Sequence, residues 1–281
     1  MILFLILLIQ FTTSICIYNG PGASDVNDYV EGIKEIIGDT YSIRLINAQD
    51  IIEKDILSTC SLFVMPGGAD KPYCAELNGK GNEKIKKYIS SGGSYLGICA
   101  GSYYASSAIL FDENGPDYIS EKRELSFYQG IARGPLFKQF VPGTENGIAA
   151  VNVTILDDHF NHMKKNQKDK KKKQTITLYY NGGPIFCYES PSYHQSETIG
   201  VYEMNDQLLS SLYLQPEKQA YSSAYPNSFN AIVFRRIGKG KVLLSSIHLE
   251  NNSFDSLNNS TMKSRKELFG YLLKKLGLKF L

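Results

Sequence analysis

Three short apolar runs in the first hundred residues each break at a glycine-bearing turn, and this pattern restricts the chain to few folds. Ile15 to Tyr18 ends at Asn19-Gly20-Pro21-Gly22, Ser61 to Met65 at Pro66-Gly67-Gly68-Ala69-Asp70, and Ser94 to Ile98 at Cys99-Ala100-Gly101. Runs this short and continuously apolar suit strands buried on both faces. Between them, Val26 to Ile37 places Val30, Ile33, Ile36 and Ile37 on one helical face. Tyr41 to Leu45 reads as a strand, and Ala48 to Ile56 and Asn82 to Ile89 read as helices. The alternation predicts right-handed βαβ units, a mostly parallel sheet and helices on both of its faces. Ligand sites in such sheets lie at the carboxyl ends of the strands, so the three glycine turns are expected to converge on one edge.

The later part of the chain reads as added strands: Val151 to Leu156, Thr175 to Tyr180, Ile199 to Glu203, Ala231 to Arg235 and Val242 to Ile247. A lysine-rich insertion at about 161–174 separates the first two as a hairpin loop, and Gly238-Lys239-Gly240 turns between the last two. Ser264-Arg265-Lys266-Glu267 fits a capping box before a closing helix carrying Leu268, Leu272, Leu273 and Leu276. There is no internal repeat and no linker, so residues 15–281 are expected to form one domain.

Charge narrows the function classes. The net charge is +2, and the segment from Lys164 to Lys173 holds seven lysines and one aspartate. Taking away its net six positive charges leaves the rest of the chain at −4. A nucleic-acid or membrane role for the folded body is therefore not expected, and the lysine run reads as a solvated insertion. Hydrophobic content of 43% supports a substantial core. Met1 to Ile9 is almost wholly aliphatic, too short for a comfortable span, and fits a signal-peptide core within residues 1–14. The predicted location is the secretory pathway or the exterior, with no stable membrane span after signal removal. A buried first strand in a cytoplasmic protein is the alternative. Sequons at Asn152, Asn251, Asn258 and Asn259 are compatible with export and glycosylation. The five cysteines, Cys16, Cys60, Cys74, Cys99 and Cys187, contain no CxxC. They suggest neither a zinc site nor a dense disulfide framework, but one or two disulfides among the four besides Cys99 would suit an exported chain. Asp157, Asp158, His159 and His162 beside the lysine run are a poor setting for a dication, so no metal and no cofactor is expected.

Gly97-Ile98-Cys99-Ala100-Gly101 has the layout of a nucleophile elbow. Such a turn lifts its central side chain above the sheet at a helix N-terminus, which favours thiolate over thiol. An ordinary turn with a buried cysteine is the alternative. A base and an orienting group are then required. His248 follows the apolar strand Val242 to Ile247, and Glu250, two residues on, points to the same side of an extended chain. Gly68 and Ala100 are candidates for backbone N–H donors to an oxyanion.

With these residues together, the chain resembles the class I glutamine amidotransferase-like superfamily, and within it the N-terminal domain of eukaryotic biotin-protein ligases. The matching segments are Tyr18-Asn19-Gly20-Pro21-Gly22, Pro66 to Asp70 with Pro72-Tyr73, Gly97 to Gly101 with Tyr103, and Arg133-Gly134-Pro135. Tyr180-Asn181-Gly182-Gly183, Gly238-Lys239-Gly240-Lys241-Val242-Leu243-Leu244 and His248-x-Glu250 continue the series. The resemblance implies a flavodoxin-like three-layer α/β/α fold and a Cys99-His248-Glu250 triad with Gly68 and Ala100 as oxyanion donors. Tyr103, Arg133 and Asn181 are the candidates for the pocket wall, with Arg133 as a clamp for a substrate carboxylate. The implied substrate is a small-molecule amide or γ-glutamyl compound, and the partner protein is unknown. Residue 100 is not histidine, which separates the chain from the protease- and chaperone-like branch. No Gly-Arg-Gly-Arg-type loop and no tryptophan is present, so biotin ligase activity is not expected. The competing expectations are an inactive binding or regulatory domain on the same scaffold, and a secreted γ-glutamyl hydrolase-like enzyme.

Overall fold

The computed structural model describes residues 14–113, 115–163, 173–188, 195–203, 229–251 and 259–281, with the side chains of 259 and 260 left aside. The chain opens with β1 (Ser14–Tyr18), α1 (Val26–Ile37), β2 (Ser42–Ile46), α2 (Ala48–Glu53), β3 (Cys60–Met65), α3 (Asp70–Leu77), α4 (Lys80–Ser90), β4 (Ser94–Ile98) and α5 (Ala100–Tyr104). Strands β5 (Ser106–Phe111), β6 (Ile119–Lys122), β7 (Tyr128–Gly134) and β8 (Ala149–Ile155) follow, then α6 (Asp158–Met163) and β9 (Gln174–Tyr180). The remainder is β10 (Ile185–Tyr188), β11 (Glu197–Tyr202), β12 (Phe229–Ile237), β13 (Gly240–Ser245) and α7 (Asn259–Leu276).

The strands form one sheet, ordered β2-β1-β3-β4-β13-β12-β10-β7-β5-β6, with β11, β8 and β9 attached beyond β12. Pairing is parallel from β2 through β13, and β5 also runs parallel to β7. The other added strands pair antiparallel, including the expected β8–β9 and β12–β13 hairpins. The fold is mixed α/β, with helices on both faces of the sheet.

Alternation along each strand explains the layers. Ile15 and Ile17 of β1, with Leu62 and Val64 of β3, enter a core shared with Ile33 and Ile37 of α1 and Leu268, Leu272 and Leu276 of α7. Cys16 and Tyr18, with Phe63 and Met65, face the opposite core with Ile51 of α2, Leu77 of α3 and Ile85 of α4. Successive side chains point to opposite faces, and both are covered, so each parallel strand must be apolar throughout. On the second face Cys16 and Cys60 form a disulfide, with Cα atoms 5.8 Å apart.

Several expectations shift. Helix α3 was not anticipated: Pro72 sits in its first turn, where a missing N–H costs nothing. The lysine-rich insertion is narrower than expected, because residues up to Met163 belong to α6 and Gln174 already belongs to β9. Residues 164–172 of the run and His194 lie outside the described residues. So do residues 1–13 of the predicted signal peptide, whereas Ser14 is the first residue of β1. Helix α7 starts before the expected capping box, which places Ser264 to Glu267 inside the helix. Asp157 does not gather histidines; Lys275 donates to it at 2.8 Å. Among the described residues no helix is long and apolar enough to cross a membrane.

Candidate active site

Strand β4 delivers Cys99 to the carboxyl edge of the sheet in a left-handed conformation, φ 50° and ψ −109°. L-residues rarely adopt positive φ, so the surrounding packing must impose it. Two glycines make this packing feasible. A Cβ on Gly97 would lie 2.6 Å from the Gly101 carbonyl oxygen, and one on Gly101 would lie 2.1 Å from the Met65 carbonyl oxygen. Hydrogen bonds then hold the turn: Cys99 N–H donates to the Ser245 carbonyl at 2.9 Å and Gly101 N–H to the Pro66 carbonyl at 2.9 Å. The Ser102 hydroxyl reaches the Gly97 and Ser245 carbonyls.

Strand β13 ends beside β4 and carries the chain to His248. Its Nδ1 lies 2.7 Å from Glu250 Oε1, and its Nε2 lies 3.3 Å from the Asn181 carbonyl oxygen. The Cys99 thiol is 3.3 Å from that same carbonyl oxygen. Thiol and imidazole thus meet at one backbone acceptor in the β9–β10 turn, with the carboxylate behind the ring. Burial alone would disfavour the imidazolium, but the Glu250 charge, with hydrogen bonds from the ring to Cys99 and Glu250, raises the His248 pKa well above the ordinary value. A doubly protonated ring finds an acceptor on each side, Glu250 at Nδ1 and the Asn181 carbonyl at Nε2.

The second glycine turn lies against these groups. Gly67 N–H donates to the Tyr29 hydroxyl at 2.6 Å, so it is not available to a ligand. Gly68 has φ 124°, and a Cβ there would lie 2.0 Å from the Gly22 carbonyl oxygen. Gly68 N–H and Ala100 N–H make no hydrogen bond among the described residues, and both residues border the same cavity as Cys99 and His248. That cavity is about 790 Å³.

Of the candidate wall residues, two reach the cavity and one does not. Tyr103 borders it while its hydroxyl donates to the Gly182 carbonyl at 3.1 Å. Asn181 borders it too, but its backbone carbonyl rather than its side chain meets the thiol. Arg133, expected as a carboxylate clamp, is drawn away: it lies on β7 in an ion pair with Glu113 and does not border the cavity. A carboxylate on the neighbouring segment satisfies it before a substrate can.

The chain reading missed the residues that position His248 and Glu250. Gly32 of α1 lets the Glu250 backbone approach, since a Cβ there would lie 2.3 Å from the Glu250 carbonyl oxygen. Arg265 of α7 is fully buried, and its guanidinium donates to the Leu249 carbonyl at 2.5 Å and to Glu35 at 2.9 Å. The signal was present: Arg265 shares a helical face with Leu268, Leu272 and Leu276, where a cation is out of place unless paired.

Comparison with known proteins adds the lineage. The family model for the biotin-protein ligase N-terminal domain matches residues 13–279. A biotin–protein ligase of Schizosaccharomyces pombe is 30% identical over 273 residues, which are 95% of this chain and 38% of that protein. The chain therefore spans well under half the length of this relative. Among solved structures, PurLQS from Thermotoga maritima superposes with a TM-score of 0.56 at 14% identity, covering 94% of this chain and 99% of that one. A glutamine amidotransferase structure superposes with a TM-score of 0.54 at 13% identity, covering 94% and 99%. At such identities the likeness is one of fold.

Proposed function

The chain belongs to the biotin-protein ligase N-terminal family, and from that premise we propose that it is a cysteine-dependent hydrolase of amide C–N bonds. The observation that carries the reading is the meeting of Cys99 and His248 at one carbonyl, with Glu250 2.7 Å behind the ring. His248 holds a proton readily, and the reacting form pairs its imidazolium with the Cys99 thiolate, the state in which a cysteine is nucleophilic. The thiolate attacks the amide carbonyl carbon, and the Gly68 and Ala100 N–H groups receive the oxyanion. The C–N bond breaks as His248 gives its proton to the leaving nitrogen, and the acyl group stays on sulfur as a thioester. His248 then takes a proton from water, the hydroxide attacks, the C–S bond breaks, and the carboxylic acid leaves. Glu250 keeps the ring oriented and stabilises its charge throughout.

The test is release of ammonia or amine from glutamine, γ-glutamyl peptides and simple primary amides by the full chain and by Cys99→Ala. Turnover of at least one of these by the full chain alone is expected; equal turnover by both removes the assignment. A non-catalytic binding domain is the competing reading, and it draws on the fission yeast relative, of which the matching part is a minor share. It predicts that iodoacetamide alkylates Cys99 no faster than an ordinary thiol. We also place the protein in the secretory pathway. The aliphatic lead from Met1 to Ile9 and the Cys16–Cys60 disulfide support this, because disulfides persist in oxidising compartments. Of the sequons, Asn152 is exposed on β8, and Asn251 is half-buried beside Glu250, a poor place for a glycan.

A further inference from the structure

We propose that the site takes amides with an apolar acyl group and no free carboxylate, in preference to glutamine; this rests on the hydrolase reading and narrows its substrate. The cavity at Cys99 has an apolar wall. Tyr103 stands edge-on to Phe111, with ring centroids 5.7 Å apart, and Phe111 stands edge-on to Phe140 at 6.2 Å. This aromatic ladder leads from α5 to the cavity mouth, and Ile109 and Ile119 extend it. Phe140 is seated closely, because a Cβ on Gly182 would lie 2.4 Å from its ring. Half-buried aromatic rings facing a cavity gain most when an apolar group displaces water from them.

The charges that border the cavity have the wrong sign for glutamine. Asp25, Asp70 and Asp117 border the cavity, and Asp70 is committed to Arg123 at 2.6 Å. Lys71 is the one lysine or arginine among the described lining residues, and it is 3.5 Å from Glu121. Arg133, which would answer a carboxylate, pairs with Glu113 instead. A carboxylate at the far end of an amide would meet Asp25 and Asp117, and among the described lining residues only Lys71, shared with Glu121, could answer it. A phenylalkyl chain there would lie on Phe111 and Phe140. The reaction is the hydrolysis already written: the amide C–N bond breaks, water supplies the hydroxyl, and ammonia leaves.

The experiment compares 5-phenylpentanamide, glutamine and glutaramate by ammonia release from the full chain. The same compounds are then titrated calorimetrically into Cys99→Ala. We expect kcat/KM and affinity for 5-phenylpentanamide to exceed those for glutamine and glutaramate by about tenfold or more, the range a well-formed apolar pocket supplies. Phe140→Ala should lower the phenylpentanamide values by about tenfold while leaving glutaramate nearly unchanged, and Phe140→Leu, which keeps the packing, should recover part of the loss. Binding of the apolar amide without turnover by the full chain would sustain the specificity and overturn the hydrolase. Preference for glutamine or glutaramate, binding of none of the three, or an equal effect of Phe140→Ala on all would overturn the specificity.

Discussion

Replacing Arg265 with methionine tests whether α7 holds the His248–Glu250 segment in place. The side chain is fully buried and donates to the Leu249 carbonyl, midway between the two functional residues. Methionine fills similar space but leaves that carbonyl without its charged donor, a loss of about 1.5–3 kcal/mol. The Glu35 ion pair adds little, because Glu35 is partly exposed and keeps Lys266 at 2.5 Å, so about 0–1 kcal/mol is assigned to it. The sum is about 3 kcal/mol, which for a domain of this size corresponds to roughly 6–12 °C in Tm. The local consequence is larger than the global one. Without the anchor, Leu249 can rotate and draw Glu250 from the imidazole, so His248 loses the charge that raises its pKa. Iodoacetamide labelling of Cys99 between pH 5 and 9 reads this directly: the variant should alkylate more slowly at neutral pH, with its rate rising later. Arg265→Lys, with one donor retained, should fall between the two. Arg265→Met melting within about 2 °C of the parent, with an unchanged labelling profile, would refute the anchoring role.

Three further outcomes follow from the same geometry. The folded His248 pKa is raised above the unfolded value of about 6.5, so its contribution to stability is complete below that pH and is lost as pH rises through the folded pKa; chemical unfolding of the parent and His248→Gln from pH 5 to 9 should show the difference between them shrinking as pH rises. Gly101→Ala places a methyl group 2.1 Å from the Met65 carbonyl oxygen and should cost about 3 kcal/mol, read as a lower urea midpoint with reduced Cys99 labelling. Reduction of Cys16–Cys60, which spans a sequence separation of 44, should remove about 4 kcal/mol by the loop-entropy relation, measured as a drop in Tm with and without dithiothreitol.

What the chain disclosed in advance follows from where its information is local. Val26–Ile37 and Ser94–Ile98 appear with the expected bounds, because periodicity and flanking glycines act within a few residues. Cys99, His248, Glu250, Gly68 and Ala100 were named for the same reason: each sits at the end of a recognisable strand. The β5–β7 strands escaped notice because serines, charged residues and a glutamine interrupt their apolar positions, and β10 because its four residues are too short a run to read. Arg133 was misjudged because only tertiary packing reveals that Glu113 claims it. Asn181 was named for the pocket wall and borders it, but the contact of its carbonyl with thiol and imidazole was not foreseen, because backbone acceptors carry no residue-specific signal.

The order of the site along the chain has a consequence for biosynthesis. Cys99 is made long before Asn181, His248 and Arg265, at about 5–20 residues per second. For roughly 10 seconds or more the elbow cysteine therefore exists with neither its base nor the helix that fixes that base. In an oxidising lumen this interval exposes it to mispairing with Cys16, Cys60 or Cys74. Pairing of β1 with β3 brings Cys16 to Cys60, and both strands precede Cys99 in the chain. In the folded protein the disulfide leaves neither Cys16 nor Cys60 free to exchange with Cys99. Once the chain is folded, burial pushes the Cys187 thiol up to about 12, which keeps it out of exchange with Cys99.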